Sequence, residues 1–189
     1  DANKFAANHV KVVTEARILT GIGLVWKRVS EAPEDEMRAV AADSDVLVAV
    51  VGLTSDLEAE EAPIELPGFK GGDKTTLDLL ADQQAFLVAA KATGKPLVVV
   101  LMNGSPLNLT WAKEHADAIV EAWYPGQSGG LAIGNVIAGH VNPAGRLPLT
   151  FYRSVDDLPP FGDYDMLGRT YRYFTGTPVY PFGHGLSYT

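Results

Sequence analysis

The residues best suited to acid–base chemistry lie in one loop, residues 54–61 (TSDLEAEE), which follows an apolar segment at residues 46–51 and Gly52. An apolar run without alternation is typical of a strand buried on both faces of a parallel sheet. In open α/β sheets, ligands bind outside the carboxyl ends of the strands, where this loop would lie. Residues 54–61, named the acidic loop here, are therefore a candidate site for carboxylate chemistry. The alternative is an acidic loop that is merely solvated.

Alternating strand and helix patterns surround the acidic loop. Strands are predicted at residues 9–13, 46–51, 97–102 and 118–123, with a further strand suggested at residues 149–152. Helices are predicted at residues 30–44, 76–93 and 129–139, and another is predicted to begin at Ser105 and Pro106. This order predicts an α/β fold, a three-layer sandwich with a mainly parallel sheet and helices on both faces. Residues 1–189 are predicted to form a single domain, and the tail at residues 156–189, rich in proline, glycine and tyrosine, is predicted to contain no helix.

Composition and charge argue against several classes of function. The 189 residues carry a formal net charge of −8, which does not favour binding to nucleic acid or to an anionic membrane surface. The absence of cysteine excludes disulfides and thiolate catalysis, and the four histidines are too scattered to predict a metal site. No apolar run reaches the ~18 residues of a membrane span, and no signal peptide is expected. Because the sequence starts at Asp1, we expect a piece of a longer chain or a mature product.

Two glycine-rich segments are candidates for nucleotide or phosphate sites. Gly21 and Gly23 resemble the start of a dinucleotide fingerprint, but Trp26 occupies the position of its third glycine. We interpret that segment as a turn. The turn at residues 124–130 (YPGQSGG) precedes a predicted helix and so could bind phosphate, but it lacks the lysine and serine of a phosphate-binding loop. A nucleotide-binding domain is thus permitted by the fold and supported by no motif.

Three short motifs follow one another in the second half of the chain: residues 124–130 (YPGQSGG), residues 142–148 (NPAGRLP) and residues 180–188 (YPFGHGLSY). With these motifs the chain, over roughly residues 43–189, resembles the C-terminal α/β-sandwich domain of glycoside hydrolase family 3. That family comprises β-glucosidases, β-xylosidases and glucan exohydrolases. The resemblance implies a secreted or periplasmic full-length protein and no metal or organic cofactor.

The resemblance also implies a two-part active site. In that family an N-terminal (β/α)8 barrel carries the nucleophilic aspartate, and the sandwich lends the general acid/base glutamate from the loop after an early strand. The matching position in the acidic loop is Glu58, with Glu60 as the fallback and Glu61 as a further neighbour. The implied partners are a β-linked glucoside or xyloside and the barrel domain. Since the sequence contains no barrel, we expect the isolated chain to be inactive.

The sequence departs from the family pattern in three places. Asp73-Lys74 replaces the usual Asp-Arg pair, and lysine lacks the planar fork that holds a carboxylate through two hydrogen bonds. This pair follows an insertion at residues 63–71, and Ser128 stands where many members have glutamate. A non-catalytic module that binds carbohydrate or protein is the alternative function. The aromatic residues of the tail, Tyr171, Tyr173 and Phe174, are interpreted as core or barrel contacts rather than sugar-stacking groups.

Overall fold

The structure, a computed structural model, describes residues 33–61 and 63–189. The strands are β1 Leu47–Gly52, β2 Phe69–Lys70, β3 Asp73–Lys74, β4 Leu97–Met102 and β5 Ala118–Glu121. The helices are α1 Pro33–Ala42, α2 Ala81–Ala92, α3 Thr110–His115, α4 Gly129–Ile137 and α5 Thr170–Tyr173, with a 3-10 turn at Val155–Asp157. The predicted α/β class with a mainly parallel sheet is confirmed.

The main sheet has the strand order β1-β4-β5, and both pairings are parallel. Leu47 of β1 lies opposite Leu97 of β4, and Val98 of β4 lies opposite Ala118 of β5. The connections between these strands contain α2 and α3, as parallel pairing requires. All three strands therefore end at the same rim of the sheet, which we call the carboxyl rim. The short strands β2 and β3 form a separate antiparallel hairpin.

The hydrophobic core lies between one face of β1 and the helices. Leu47, Ala49 and Val51 are buried there, and the same cluster includes Leu87 and Ala90, which share one face of α2. The central strand β4 is buried almost throughout, as its sequence LVVVLM predicts. The prediction of burial on both faces was wrong for β1. Val48 and Val50 are 48% and 55% exposed, because they lie on the face of β1 opposite the core.

Two helices begin later than predicted because polar side chains form other contacts. Before α2 starts at Ala81, Asn108 donates from its backbone to the Leu77 carbonyl and from its side chain to Asp78, which holds this segment outside the helix. Helix α3 starts at Thr110, whose backbone N–H and hydroxyl both donate to the Asn108 side chain. Ser105 does not cap that helix, since its hydroxyl bonds to Glu58 instead.

The tail differs from its prediction in two respects. The suggested strand at residues 149–152 is reduced to a single antiparallel bridge between Phe151 and Tyr180. The tail does contain a short helix, α5, which begins where the backbone N–H of Thr170 donates to the Tyr152 hydroxyl at 2.8 Å. A partly buried hydrogen bond inside an irregular segment leaves no periodic signal in the sequence, which explains the wrong prediction.

Other predictions concern parts of the chain outside the described residues: the strand at residues 9–13, the turn at residues 21–23 and the Ser30 cap. The prediction of a single domain over residues 1–189 also stays untested. Within residues 33–61 and 63–189, no helix is long and apolar enough to cross a membrane.

Candidate functional site at the carboxyl rim

The acidic loop leaves the sheet at Gly52, the last residue of β1. Gly52 has φ +139°, and a Cβ there would lie 1.9 Å from the backbone oxygen of Met102, so only glycine fits beside β4. The Gln83 side chain holds this point through two hydrogen bonds, accepting from the Gly52 N–H at 2.8 Å and donating to its carbonyl at 2.7 Å. Helix α2 thus fixes the base of the loop.

A local turn then directs Glu58 along the carboxyl rim. The backbone N–H groups of Leu57 and Glu58 donate to the Thr54 carbonyl at 3.0 and 3.1 Å. The Glu58 side chain, only 11% exposed, reaches the turn that follows β4. Glu58 therefore lies at the carboxyl ends of the strands, where the sequence pattern places the acidic loop.

Three groups of this chain donate hydrogen bonds to the Glu58 carboxylate. The Gly104 N–H donates to Oε2 at 2.5 Å, the Tyr124 hydroxyl donates to the same oxygen, and the Ser105 hydroxyl donates to Oε1. Gly104 is required for this approach because a Cβ there would lie 2.7 Å from the Tyr124 ring and 3.0 Å from Glu58 Oε2. Both carboxylate oxygens are therefore occupied by donors from the ends of β4 and β5.

Lys74 adds a positive charge beside this cluster. It stands on β3 of the short hairpin, which the insertion at residues 63–71 helps to build. Its Nζ donates to Ser105 Oγ at 2.6 Å and to the Pro106 carbonyl at 3.1 Å, and lies 4.0 Å from Glu58 Oε1. Lys74 thus acts on Glu58 both through Ser105 and directly through its charge.

These contacts set the protonation states of the cluster. Burial raises the pKa of Glu58, but the hydrogen bonds and the charge of Lys74 outweigh it, so that pKa lies below its ordinary value. Burial lowers the pKa of Lys74, and the Glu58 charge opposes this effect. Burial and the adjacent Glu58 raise the pKa of the Tyr124 hydroxyl. In this chain Glu58 is a carboxylate anion, held by neutral donors and one cation.

A second carboxyl group, which the sequence reading missed, lies at the same rim. Glu121 is the last residue of β5, and its Oε1 accepts from the backbone N–H of Trp123 at 3.2 Å. Burial raises the pKa of Glu121 to about 7, and the negative charge of Glu58 adds to the rise. Trp123 adopts φ +53°, an uncommon value for a side chain of this size, and this bend leads the chain to Tyr124.

The other two glutamates of the acidic loop have no such partners among residues 33–61 and 63–189. Glu60 and Glu61 are exposed, and Glu61 lies in the left-handed region at φ +49°. Within the part of the chain that the structure describes, no group of three or more His, Asp or Glu side chains is placed to hold a metal ion.

Comparison with known proteins assigns the chain to a family. Residues 4–188 match the family described as "Glycosyl hydrolase family 3 C-terminal domain". The chain belongs to this family. The sequence resemblance is confirmed, and the carboxyl rim described above is that of a family 3 C-terminal domain.

Relatives of this family 3 domain include a xylan 1,4-β-xylosidase of Xylanibacter ruminicola, 50% identical over 138 residues, which are 73% of this chain and 16% of that protein. A periplasmic β-glucosidase of Salmonella typhimurium is 41% identical and is matched over 86% of this chain and 21% of its own length. The solved structure of a family 3 exo-β-xylosidase with a xylobiose aziridine probe has a TM-score of 0.70 at 31% identity, covering 85% of this chain and 21% of that one. The chain thus spans about a fifth of the length of these relatives.

The three motifs that identify the family 3 domain serve mainly as structure here. In residues 124–130, Pro125 packs where a Cβ on Gly129 would stand, and only Tyr124 reaches the site. The other two motifs pair with each other: Leu147 N–H donates to the His184 carbonyl at 2.8 Å, and the Tyr188 N–H donates to the Asn142 side chain at 2.7 Å. Ser105, Tyr124 and Gln83 were missed as site residues, because a hydroxyl or amide in a turn or helix gives no signal until the strand ends are brought together.

Proposed function

We propose that this chain is the C-terminal part of a retaining β-glycosidase that acts on a β-linked glucoside or xyloside. In this proposal the acidic loop supplies the general acid/base glutamate to an active site shared with a (β/α)8 barrel domain. The observation that carries it is the position of the acidic loop at the carboxyl rim of a family 3 domain, beside the ends of β4 and β5. The β-xylosidase and β-glucosidase relatives support the substrate class.

The chemistry needs two carboxyl groups about 5–5.5 Å apart. A barrel aspartate attacks the anomeric carbon while the glutamate gives its proton to the glycosidic oxygen, and the aglycone leaves as an alcohol. In the second step a water molecule gives a proton to the same glutamate and attacks the anomeric carbon, which releases the aspartate. The chain described here supplies one of the two groups, so we propose that it does not hydrolyse glycosides alone.

The geometry bears on which glutamate gives the proton. A proton donor must be uncharged before attack and must have a free oxygen to offer. Glu58 meets neither condition in this chain, since three donors occupy its oxygens and its pKa is lowered. Glu60, two residues further, is exposed, and its side chain has no hydrogen-bond partner within the part of the chain that the structure describes. We keep Glu58 as the proposed donor, because the barrel aspartate would bring a negative charge that raises its pKa, and Glu60 as the fallback. In the chain alone, the contacts of Glu58 anchor its loop.

Exposed aromatic side chains in the tail support docking onto a further domain. Tyr171 and Tyr173 are 59% and 41% exposed, so the tail is not fully used by the core of this chain. Phe161 and Tyr164 stand out further, in a loop that Arg169 closes by donating to the carbonyls of residues 160, 163 and 165. Ordered loops that present large apolar side chains to solvent are typical of contact surfaces.

The test uses the full-length protein that contains this chain, with Glu58→Ala, Glu60→Ala and Glu61→Ala compared. Loss of the proton donor should reduce hydrolysis of substrates with poor leaving groups by about 10²–10⁴-fold. An aryl glycoside with an acidic leaving group should lose less, and azide should restore turnover because it needs no base. We expect this pattern for Glu58→Ala, and neither leaving-group dependence nor azide rescue for Glu60→Ala.

The matched control is Glu61→Ala, which should show neither leaving-group dependence nor rescue. Rescue of Glu60→Ala and not of Glu58→Ala would make Glu60 the donor and leave the family mechanism intact. If none of the three variants shows rescue, the acidic loop is not the source of the proton. The alternative, a non-catalytic carbohydrate- or protein-binding module, would then be favoured.

A further inference from the structure

The proposed mechanism leaves one buried acid without a role. Glu121 ends β5 directly beside β4, where it lies opposite Leu101 in the strand register. The next strand-end residue on β4 is Asn103, which is fully buried. The Asn103 side chain hydrogen-bonds to the Glu121 carboxyl group, beside the turn that carries Gly104 and Ser105.

Asn103 connects this pair to Glu58. Its Nδ2 donates to the Ser105 carbonyl at 2.8 Å and so fixes the shape of the turn. From that turn, the Gly104 N–H and the Ser105 hydroxyl donate to Glu58. A change in the position of the Asn103 side chain would therefore be passed to both donors.

Two acceptor oxygens in this place lack partners. Within the described residues, Glu121 Oε2 and Asn103 Oδ1 are buried and accept no hydrogen bond. Buried polar atoms are rarely left unpaired, because each costs about 1–3 kcal/mol. An ionised carboxylate has only hydrogen-bond acceptors, so it cannot pair with a second buried acceptor. A carboxylic acid has one O–H donor and carries no charge.

We propose that Glu121 is a positioning residue for Glu58, acting as an uncharged carboxylic acid through Asn103 and the Gly104-Ser105 turn. The proton removes the charge from the buried group and turns one unpaired acceptor into a donor beside the Asn103 amide. The groups that face Glu121 agree with this role. Burial and the Glu58 charge raise its pKa, and only the Trp123 N–H and the Asn103 side chain oppose the rise.

The consequence is a second acid–base group that is coupled to the site without touching substrate. When Glu121 loses its proton, a negative charge appears near Glu58, and the Asn103 side chain adjusts to it. The turn that carries Gly104 and Ser105 then moves, which changes its hydrogen bonds to Glu58 in the acidic loop. This inference concerns the described geometry alone, so it stands or fails independently of the proposed hydrolase activity.

The test is an NMR titration of the 189-residue chain with labelled glutamate carboxyl carbons and backbone amides. We expect the Glu121 carboxyl to titrate with a midpoint near 7 rather than 4.5. The Gly104 and Ser105 amide signals should move with the same midpoint. Glu121→Gln keeps the shape of the side chain but cannot gain or lose a proton. In this variant the two amide signals should not change with pH in that range.

The matched control is Glu114→Gln, an exposed residue of α3, which should leave the titration of both amides as in the wild type. A Glu121 midpoint near 4.5 would overturn the proposal. So would amide signals of Gly104 and Ser105 that ignore the Glu121 titration, since Glu121 would then be a buried acid without influence on the turn. The wild-type titration decides between these outcomes even if Glu121→Gln fails to fold.

Discussion

The acidic loop and the end of β5 hold two carboxyl groups that are both largely removed from solvent, yet their acidities change in opposite directions. Glu58 receives three hydrogen bonds and lies 4.0 Å from Lys74, and its pKa falls. Glu121 accepts from the Trp123 N–H at 3.2 Å and from the Asn103 side chain, leaves Oε2 without a partner among the described residues, and has a pKa of about 7. Burial acts on both in the same sense. Burial therefore dominates the pKa of Glu121, whereas at Glu58 the donors and Lys74 outweigh burial.

The largest effect expected from this contrast is a pH dependence of stability caused by Glu121. Its pKa is raised from 4.5 to about 7 on folding, so the folded chain binds more protons than the unfolded chain between these values. The free energy of unfolding should therefore fall as pH rises through this window, by on the order of 3 kcal/mol. Urea unfolding at about pH 5 and about pH 8 should show this loss in the wild type and not in Glu121→Gln. If the free energy of unfolding depends on pH equally in the wild type and in Glu121→Gln, the raised pKa of Glu121 is contradicted.

A smaller effect is expected when Glu58 itself is neutralised. Glu58→Gln keeps the size of the side chain but replaces one acceptor oxygen by a donor group that faces existing donors. Hydrogen bonds to charged groups contribute about 1.5–3 kcal/mol, so we expect a loss of about 2 kcal/mol in denaturant unfolding near neutral pH. Because the Glu58 pKa is lowered on folding, this contribution should be present above 4.5 and disappear as pH falls through the folded value.

The exposed Glu60 provides the control for that measurement. Glu60→Gln should change the free energy of unfolding by less than about 0.5 kcal/mol, as is usual for surface positions. If both substitutions cost the same, the hydrogen bonds at Glu58 do not stabilise the loop, and its role as an anchor fails.

The smallest effect concerns a single donor. Tyr124→Phe removes one of the three hydrogen bonds to Glu58 and should cost about 1 kcal/mol. It should also raise the Glu58 pKa toward its ordinary value, which a carboxyl NMR titration would detect. Tyr164→Phe, on a ring that is 94% exposed, should change neither quantity. An unchanged Glu58 titration in Tyr124→Phe would show that the hydroxyl does not act on the carboxylate.

The fold class and the position of the site were predictable from the sequence because they depend on local patterns. The segment LVVVLM of β4 and the break at Gly52 place a strand end, and parallel strands bring their ends together. The contacts of the site were not predictable, because they join residues far apart in sequence. Ser105 illustrates this limit: followed by proline, it has the pattern of a helix cap, and only the approach of the acidic loop makes it a donor to Glu58.

The same limit applies to the outer face of β1. Its six residues LVAVVG give no alternation that would distinguish burial on one face from burial on both. The exposure of Val48 and Val50 depends on which elements pack against the sheet, and this is decided by the tertiary structure.

The two bonds between Gln83 and Gly52 also limit how the sheet can grow. Leu47 and Leu53 donate from their backbone N–H groups to the β4 side, so the N–H and carbonyl of Gly52 point to the opposite side. The Gln83 side chain has one donor and one acceptor group. It pairs with both the N–H and the carbonyl of Gly52, which a further strand would otherwise bond. Any strand added to that side of β1, from this chain or from another molecule, must therefore end before it reaches Gly52. The side chain of one helix residue thus sets a boundary for sheet extension and keeps added backbone away from the acidic loop.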